Sequence, residues 1–192
     1  YVAWKENNES SYILQIRVKK YNGSTWSWAD GGGANGINYN VLKEPDYPQL
    51  AVFNSNLYVV WNEPNNSNVS QIRVKKYNGS TWSWADGGGT NGINYNVSQS
   101  AYAPQIAEVN SNLYVVWCEY NDSNIRQIRI KKYNGSTWSW VDGGGANGLN
   151  FDISKDTYNP DITEFNSKLY AIWEEKNASG TYQIRVARYN GE

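Results

Sequence analysis

The sequence contains no histidine and no methionine, one cysteine, three phenylalanines and five prolines. Each shortage closes off a class of chemistry. Without histidine, a serine or cysteine nucleophile lacks its usual base, and no serine stands in a nucleophile-elbow context. With no histidine and no second cysteine, a zinc site lacks its ordinary ligands. Cys118 cannot form an internal disulfide, and related repeats carry Asn62 and Glu174 in its place. Disulfides therefore do not hold this fold, and the thiol reads as incidental. No run approaches the ~20 apolar residues of a membrane helix, and no basic-then-apolar leader opens the chain. A net charge of −1 gives no pull toward nucleic acid or an anionic membrane. The expectation is a chain without cofactor, metal, nucleic-acid partner or membrane insertion. Tyr1 falls inside a repeat, so a chain processed, trimmed or cut from something longer is expected.

What is abundant is repetition. Gln15-Ile-Arg-Val-Lys-Lys-Tyr-Asn-Gly-Ser-Thr-Trp26 recurs almost unchanged from Gln71 and from Gln127, and a shortened version begins at Gln183. The starts are evenly spaced by 56 residues, and residues 15–41 and 71–97 differ only at Ala34 against Thr90. A fixed period of this length marks a repeat architecture. The single array 1–192 divides into a partial repeat over 1–14, repeats from 15, 71 and 127, and a partial repeat from 183.

Within one repeat, Gln49–Phe53 is an apolar run entered through Pro48, and Asn54-Ser55-Asn56 makes a turn. Leu57–Trp61 is β-branched and aromatic. In Gln71–Tyr77, Ile72 and Val74 alternate with Arg73 and Lys75. Asn78-Gly79 predicts a type I′ hairpin, with positive φ at both residues. Thr81–Trp84 returns as a fourth strand, and the glycine-rich run from Asp86 to Gly92 breaks regular structure. Each repeat thus holds four strands, a to d, and none has helical periodicity. Tandem four-stranded units of roughly 40–55 residues predict an all-β propeller rather than a β-solenoid. The count is three a, four b, four c and three d strands, fourteen in all and about 3.5 blades. Open edges invite pairing, so either a second copy, as a homodimer completing a ring, or a missing part of the parent protein is expected to cover them.

The runs Pro-Gln-Leu-Ala-Val, Leu-Tyr-Val-Val-Trp-x-Glu and Gln-Ile-Arg-Val-Lys-Lys-Tyr-Asn-Gly-Ser-Thr-Trp resemble a broad group of bacterial, mostly secreted or cell-surface, propeller repeats. The resemblance covers the whole chain and implies a propeller fold and a secreted or surface location. More remotely, the Trp-rich blades are similar to tectonin and tachylectin-type lectin propellers. That likeness rests on the fold level alone.

Several features are candidates for chemistry. The Trp-x-Glu step recurs as Trp4/Glu6, Trp61/Glu63, Trp117/Glu119 and Trp173/Glu175, with Arg17, Arg73, Arg129 and Arg185 on the following strand. Glycosidases use carboxylate pairs, but a single active site needs residues that differ between repeats. The expected role of these residues is structural: ion pairs, or caps on loop amides. The lysine pairs Lys19-Lys20, Lys75-Lys76 and Lys131-Lys132 read as solvated strand edges. Asp30-Gly-Gly-Gly and its counterparts read as glycine loops rather than calcium sites. The pairs Trp26/Trp28, Trp82/Trp84 and Trp138/Trp140, with Tyr39 and Tyr95, either pack between blades or stack on sugar rings. The expectation drawn is a non-enzymatic, multivalent, lectin-like module for carbohydrate or a cell-surface polymer, strengthened by avidity. The rival expectation is a self-assembling structural propeller with no dedicated ligand.

Overall fold

A computed structural model describes residues 1–190. Among them are fourteen strands and no helix. The strands form four antiparallel sheets that match the sequence count. Blade one holds β1 (Val2–Asn7), β2 (Leu14–Tyr21) and β3 (Trp26–Trp28). Blade two holds β4 (Asp46–Phe53), β5 (Asn56–Pro64), β6 (Ser70–Tyr77) and β7 (Trp82–Trp84). Blade three holds β8 (Ala101–Val109), β9 (Asn112–Tyr120), β10 (Arg126–Tyr133) and β11 (Trp138–Trp140). Blade four holds β12 (Thr157–Phe165), β13 (Lys168–Lys176) and β14 (Tyr182–Tyr189). Among the described residues blade one has no strand a and blade four no strand d, so the chain forms an arc of a β-propeller.

The strands β1, β4, β8 and β12 lie side by side as the inner strands of successive blades. The core fills the joints rather than the blades. Val59, Trp61 and Leu57 of blade two pack on Ile16, Val18 and Ile37 of blade one. The same pattern recurs at the next two joints, around Trp117 and Trp173. Alternation along β5 and β6 explains this, because each sheet must bury both faces against neighbours.

The turns differ from expectation in one respect. Of Asn78 and Gly79, only Gly79 takes positive φ, at 100°. The Asn78 side-chain oxygen instead accepts the backbone N–H groups of Ser80 and Thr81, closing an Asx turn. Paired positive φ occurs in the a–b hairpins, at Asn54 (47°) and Ser55 (58°), and again at Asn110/Ser111 and Asn166/Ser167. One glycine is required for a different reason. A Cβ on Gly92 would run into the carbonyl of Ile72, which holds the chain close while Ile93 N–H donates to that same oxygen at 3.0 Å.

Candidate functional site

Each blade joint is built around the glutamate of the Trp-x-Glu step. In blade two, Glu63 accepts the indole N–H of Trp61 at 2.7 Å and the backbone N–H groups of Tyr39 and Asn40 at 2.9 and 2.5 Å. Glu119 does the same with Trp117, Tyr95 and Asn96, and Glu175 with Trp173, Phe151 and Asp152. Burial pushes the carboxyls of Glu63 and Glu119 up, while these donors and the nearby arginine pull them back. Of the two structural roles expected for glutamate, amide capping is realised. The arginine pairs elsewhere: Arg73 Nε lies 2.9 Å from Asp86 and Arg129 Nε 3.0 Å from Asp142, all fully buried.

The glycine-rich loop exists to present that aspartate. Asp86 also accepts the N–H of Val74 and of Gly88, and Arg73 Nη1 donates to Gly89 O at 2.9 Å. These carboxylates are therefore committed to arginine and backbone donors.

The tryptophans named from sequence divide into two sets. Trp82 and Trp138 are half-buried and donate their indole N–H groups to Ala29 O and Ala85 O of the preceding blade, each at 2.8 Å. They tie one blade to the next. Trp84 and Trp140 face inward along their own blade, 6.0 and 5.9 Å from Trp61 and Trp117. Tyr39 meets Trp84 edge-on at 5.8 Å and Tyr95 meets Trp140 at 5.6 Å, and both tyrosines also lie against the arginine of the joint. Only Trp26 and Trp28, which have no preceding blade, are well exposed, at 52% and 41%.

The first lysine of each pair departs from the expected solvated edge. Lys19, Lys75 and Lys131 place their ammonium groups 4.1, 4.1 and 4.0 Å from the rings of Trp28, Trp84 and Trp140. Burial lowers Lys75 to about 8. Cys118 is buried beside Thr157 O, and burial pushes its thiol up to about 12, so it is inert as a nucleophile.

A different region was missed from sequence. Repeats that match almost perfectly through residues 15–41 diverge at six consecutive positions, Leu42–Tyr47 against Ser98–Ala103. They diverge again at Asn62, Pro64 and Ser70 against Cys118, Tyr120 and Arg126. These positions share one end of the blades, beside the inner strands. All three four-stranded or a-containing blades carry a bulge there, between Asp46 and Gln49, Tyr102 and Gln105, and Tyr158 and Asp161. Within it Tyr47, Ala103 and Asn159 take positive φ, at 53°, 52° and 48°. Bulges of this kind re-aim side chains, and non-glycine residues held there carry strain that clusters at functional sites.

The variable residue of each Trp-x-Glu step reaches across this end. Lys5 pairs with Asp46 at 2.7 Å, the Asn62 side-chain oxygen accepts Ala103 N–H at 3.4 Å, and Cys118 Sγ lies 3.6 Å from Thr157 O. The last member, Glu174, accepts instead from the Asn159 amide of its own blade at 3.2 Å. Around it lies a tyrosine-lined patch. Arg126 sits over Tyr120 and Tyr158 at 5.0 and 4.7 Å, Lys176 over Tyr158 and Tyr182, and the exposed Asp161 closes the bulge. Comparing one repeat with the next would have found this region.

No family profile and no curated protein matches the chain. Its fold does match solved structures. The endo-arabinase from Bacteroides thetaiotaomicron aligns with a TM-score of 0.54 at 13% identity, over 97% of this chain and 74% of that one. The alpha-L-arabinanase of Penicillium chrysogenum complexed with arabinobiose gives 0.56 at 14%, over 97% and 57%. The GH93 alpha-L-arabinofuranosidase of Fusarium graminearum with arabinobiose gives 0.57 at 14%, over 97% and 57%. The chain thus spans little more than half the length of the last two. At such identity the likeness is one of fold: this is an arc of a β-propeller of the kind those proteins contain. The expected non-enzymatic role, whether lectin-like or purely structural, is corrected here. The structures this arc resembles bear the names of glycoside-cleaving enzymes, and the tryptophans on which the lectin reading rested are largely spent on blade joints.

Proposed function

We propose that this arc belongs to a carbohydrate-processing enzyme that cleaves glycosidic bonds in arabinose-containing polymers, with its chemistry at the divergent end of the inner strands. The observation that carries the reading is where the repeats differ. A ring of equivalent surfaces has no unique centre, whereas one reaction needs unlike groups in one place. The near-identical repeats break their likeness at the bulges beside Tyr47, Ala103 and Asn159. There the patch offers what such chemistry uses: the carboxylates of Glu174 and Asp161, the cations Arg126 and Lys176, and the rings of Tyr120, Tyr158 and Tyr182. One carboxylic acid protonates the leaving oxygen while a second carboxylate activates water or attacks the sugar. Tyrosine faces stack on the sugar ring and fix its orientation. The chain spans only part of the enzymes it resembles in fold, so the reading concerns the protein to which these blades contribute.

The test is release of reducing ends from arabinan and arabino-oligosaccharides. Activity that falls by about two orders of magnitude or more in Glu174→Gln, with the circular dichroism unchanged, is the expected result. No release from either substrate between acid and neutral pH sinks the proposal.

A further inference from the structure

The chain holds four glutamate acceptors of the joint type but only three loops to fill them. The turns at Tyr39-Asn40, Tyr95-Asn96 and Phe151-Asp152 occupy Glu63, Glu119 and Glu175. Glu6 of blade one is exposed, and among the described residues its carboxylate has no hydrogen bond or ion pair. Beside it lies a cavity of about 360 Å³ lined by Glu6, Asn8, Gln15, Arg17, Trp28 and Gly33. Arg17 is prepared as in the filled joints: its Nε is 3.1 Å from Asp30, its Nη1 donates to Gly33 O, and its guanidinium lies 4.5 Å from the Trp28 ring. What it lacks is the aromatic ring that Tyr39, Tyr95 and Phe151 bring to Arg73, Arg129 and Arg185 at 4.3, 4.2 and 4.1 Å.

A second vacancy points to the same occupant. Trp82 and Trp138 each donate to an alanine carbonyl of the blade before them, but among the described residues the indole N–H of Trp26 has no such acceptor. Both missing partners would come from one object: a preceding blade of the same kind.

We propose that the free face of blade one is a docking surface for a further blade of this repeat type, whose Gly-Ile-Asn-Tyr-Asn turn enters the cavity. Its two backbone N–H groups reach Glu6, its tyrosine lies on Arg17, and the carbonyl before its Asp-Gly-Gly-Gly loop accepts from Trp26. A second copy of this chain with its own joints intact cannot be that partner, because all three of its turns are already engaged. The surface is distinct from the patch around Glu174, so its fate and that of the activity are separable.

The probe is a peptide with the sequence of residues 86–97, which carries one such turn. Saturable one-to-one binding, with a shift of the Trp28 indole resonance, is expected. Glu6→Gln should weaken it about tenfold, the scale of a charge-assisted hydrogen bond. A second arm removes the ordering cost of a free peptide. Residues 71–113 duplicated ahead of Tyr1 place the turn in cis, and Glu6→Ala should then lower the melting temperature of the extended chain while leaving that of the original chain unchanged. Overturning results are equal binding to wild-type and Glu6→Gln protein, or an extended chain indifferent to Glu6→Ala. Displacement of the peptide by arabinobiose would also overturn the proposal, since it would make the cavity a sugar site.

Discussion

Arg129→Ala is expected to destabilise the chain by about 3–5 kcal/mol, the range for breaking a fully buried ion pair from one side. Its partner Asp142 would stay buried 3.0 Å from an empty space, still holding the N–H groups of Ile130 and Gly144 but with no cation. More than charge is lost. The guanidinium donates to Gly145 O at 2.7 Å and lies 4.2 and 4.8 Å from the rings of Tyr95 and Trp140. One substitution therefore frees the glycine loop, the incoming turn and the inner tryptophan of the same joint. Burial lowers the pKa of Arg129, while Asp142 and Glu119 oppose that shift, so the site is one where charge is tolerated only because it is paired. Urea unfolding read by tryptophan fluorescence checks the figure. A loss near that of an exposed ion pair, under about 1 kcal/mol, would show that the joint is not the unit of stability.

The second large effect separates residues that are equivalent in sequence. Glu119→Ala should cost about 3 kcal/mol or more, because the buried Trp117 indole and the part-buried Tyr95 and Asn96 amides lose their acceptor together. Glu119 is only 2% exposed, so no water replaces it without opening the joint. Glu6→Ala removes the corresponding residue of blade one, where no donor is waiting, and should stay within ~0.5 kcal/mol. Comparable losses in the two variants would mean that the joints are not built on these glutamates.

Much of this was legible in the sequence, for reasons that can be named. The period, the alternation in Gln71–Tyr77 and the proline near the start of β4, β8 and β12 determine the number and order of strands, because they are local. The hairpins were less legible. Asn78-Gly79 carries the strongest dipeptide signal for a type I′ turn, yet the Asn78 side chain takes the backbone donors and leaves only Gly79 in the left-handed region. The pairing of charges was not legible at all. Arg73 finds Asp86 rather than Glu63 because the glycine loop folds back across its own blade, while Glu63 faces the blade before it. The candidate site was hidden for the opposite reason. Attention to what repeats leads to Trp84 and Trp140, which the fold uses as mortar, whereas the patch around Glu174 is built largely on positions that do not repeat, Tyr120, Arg126 and Glu174 among them.

The measurement that bears most directly on this division of labour is chemical-shift mapping of the chain with an arabino-oligosaccharide. The account predicts shifts at Tyr120, Arg126, Tyr158, Asn159 and Glu174, beside the bulges of the inner strands. Shifts that instead recur at Trp28, Trp84 and Trp140, once per blade, would contradict it and return the function to the repeated surface.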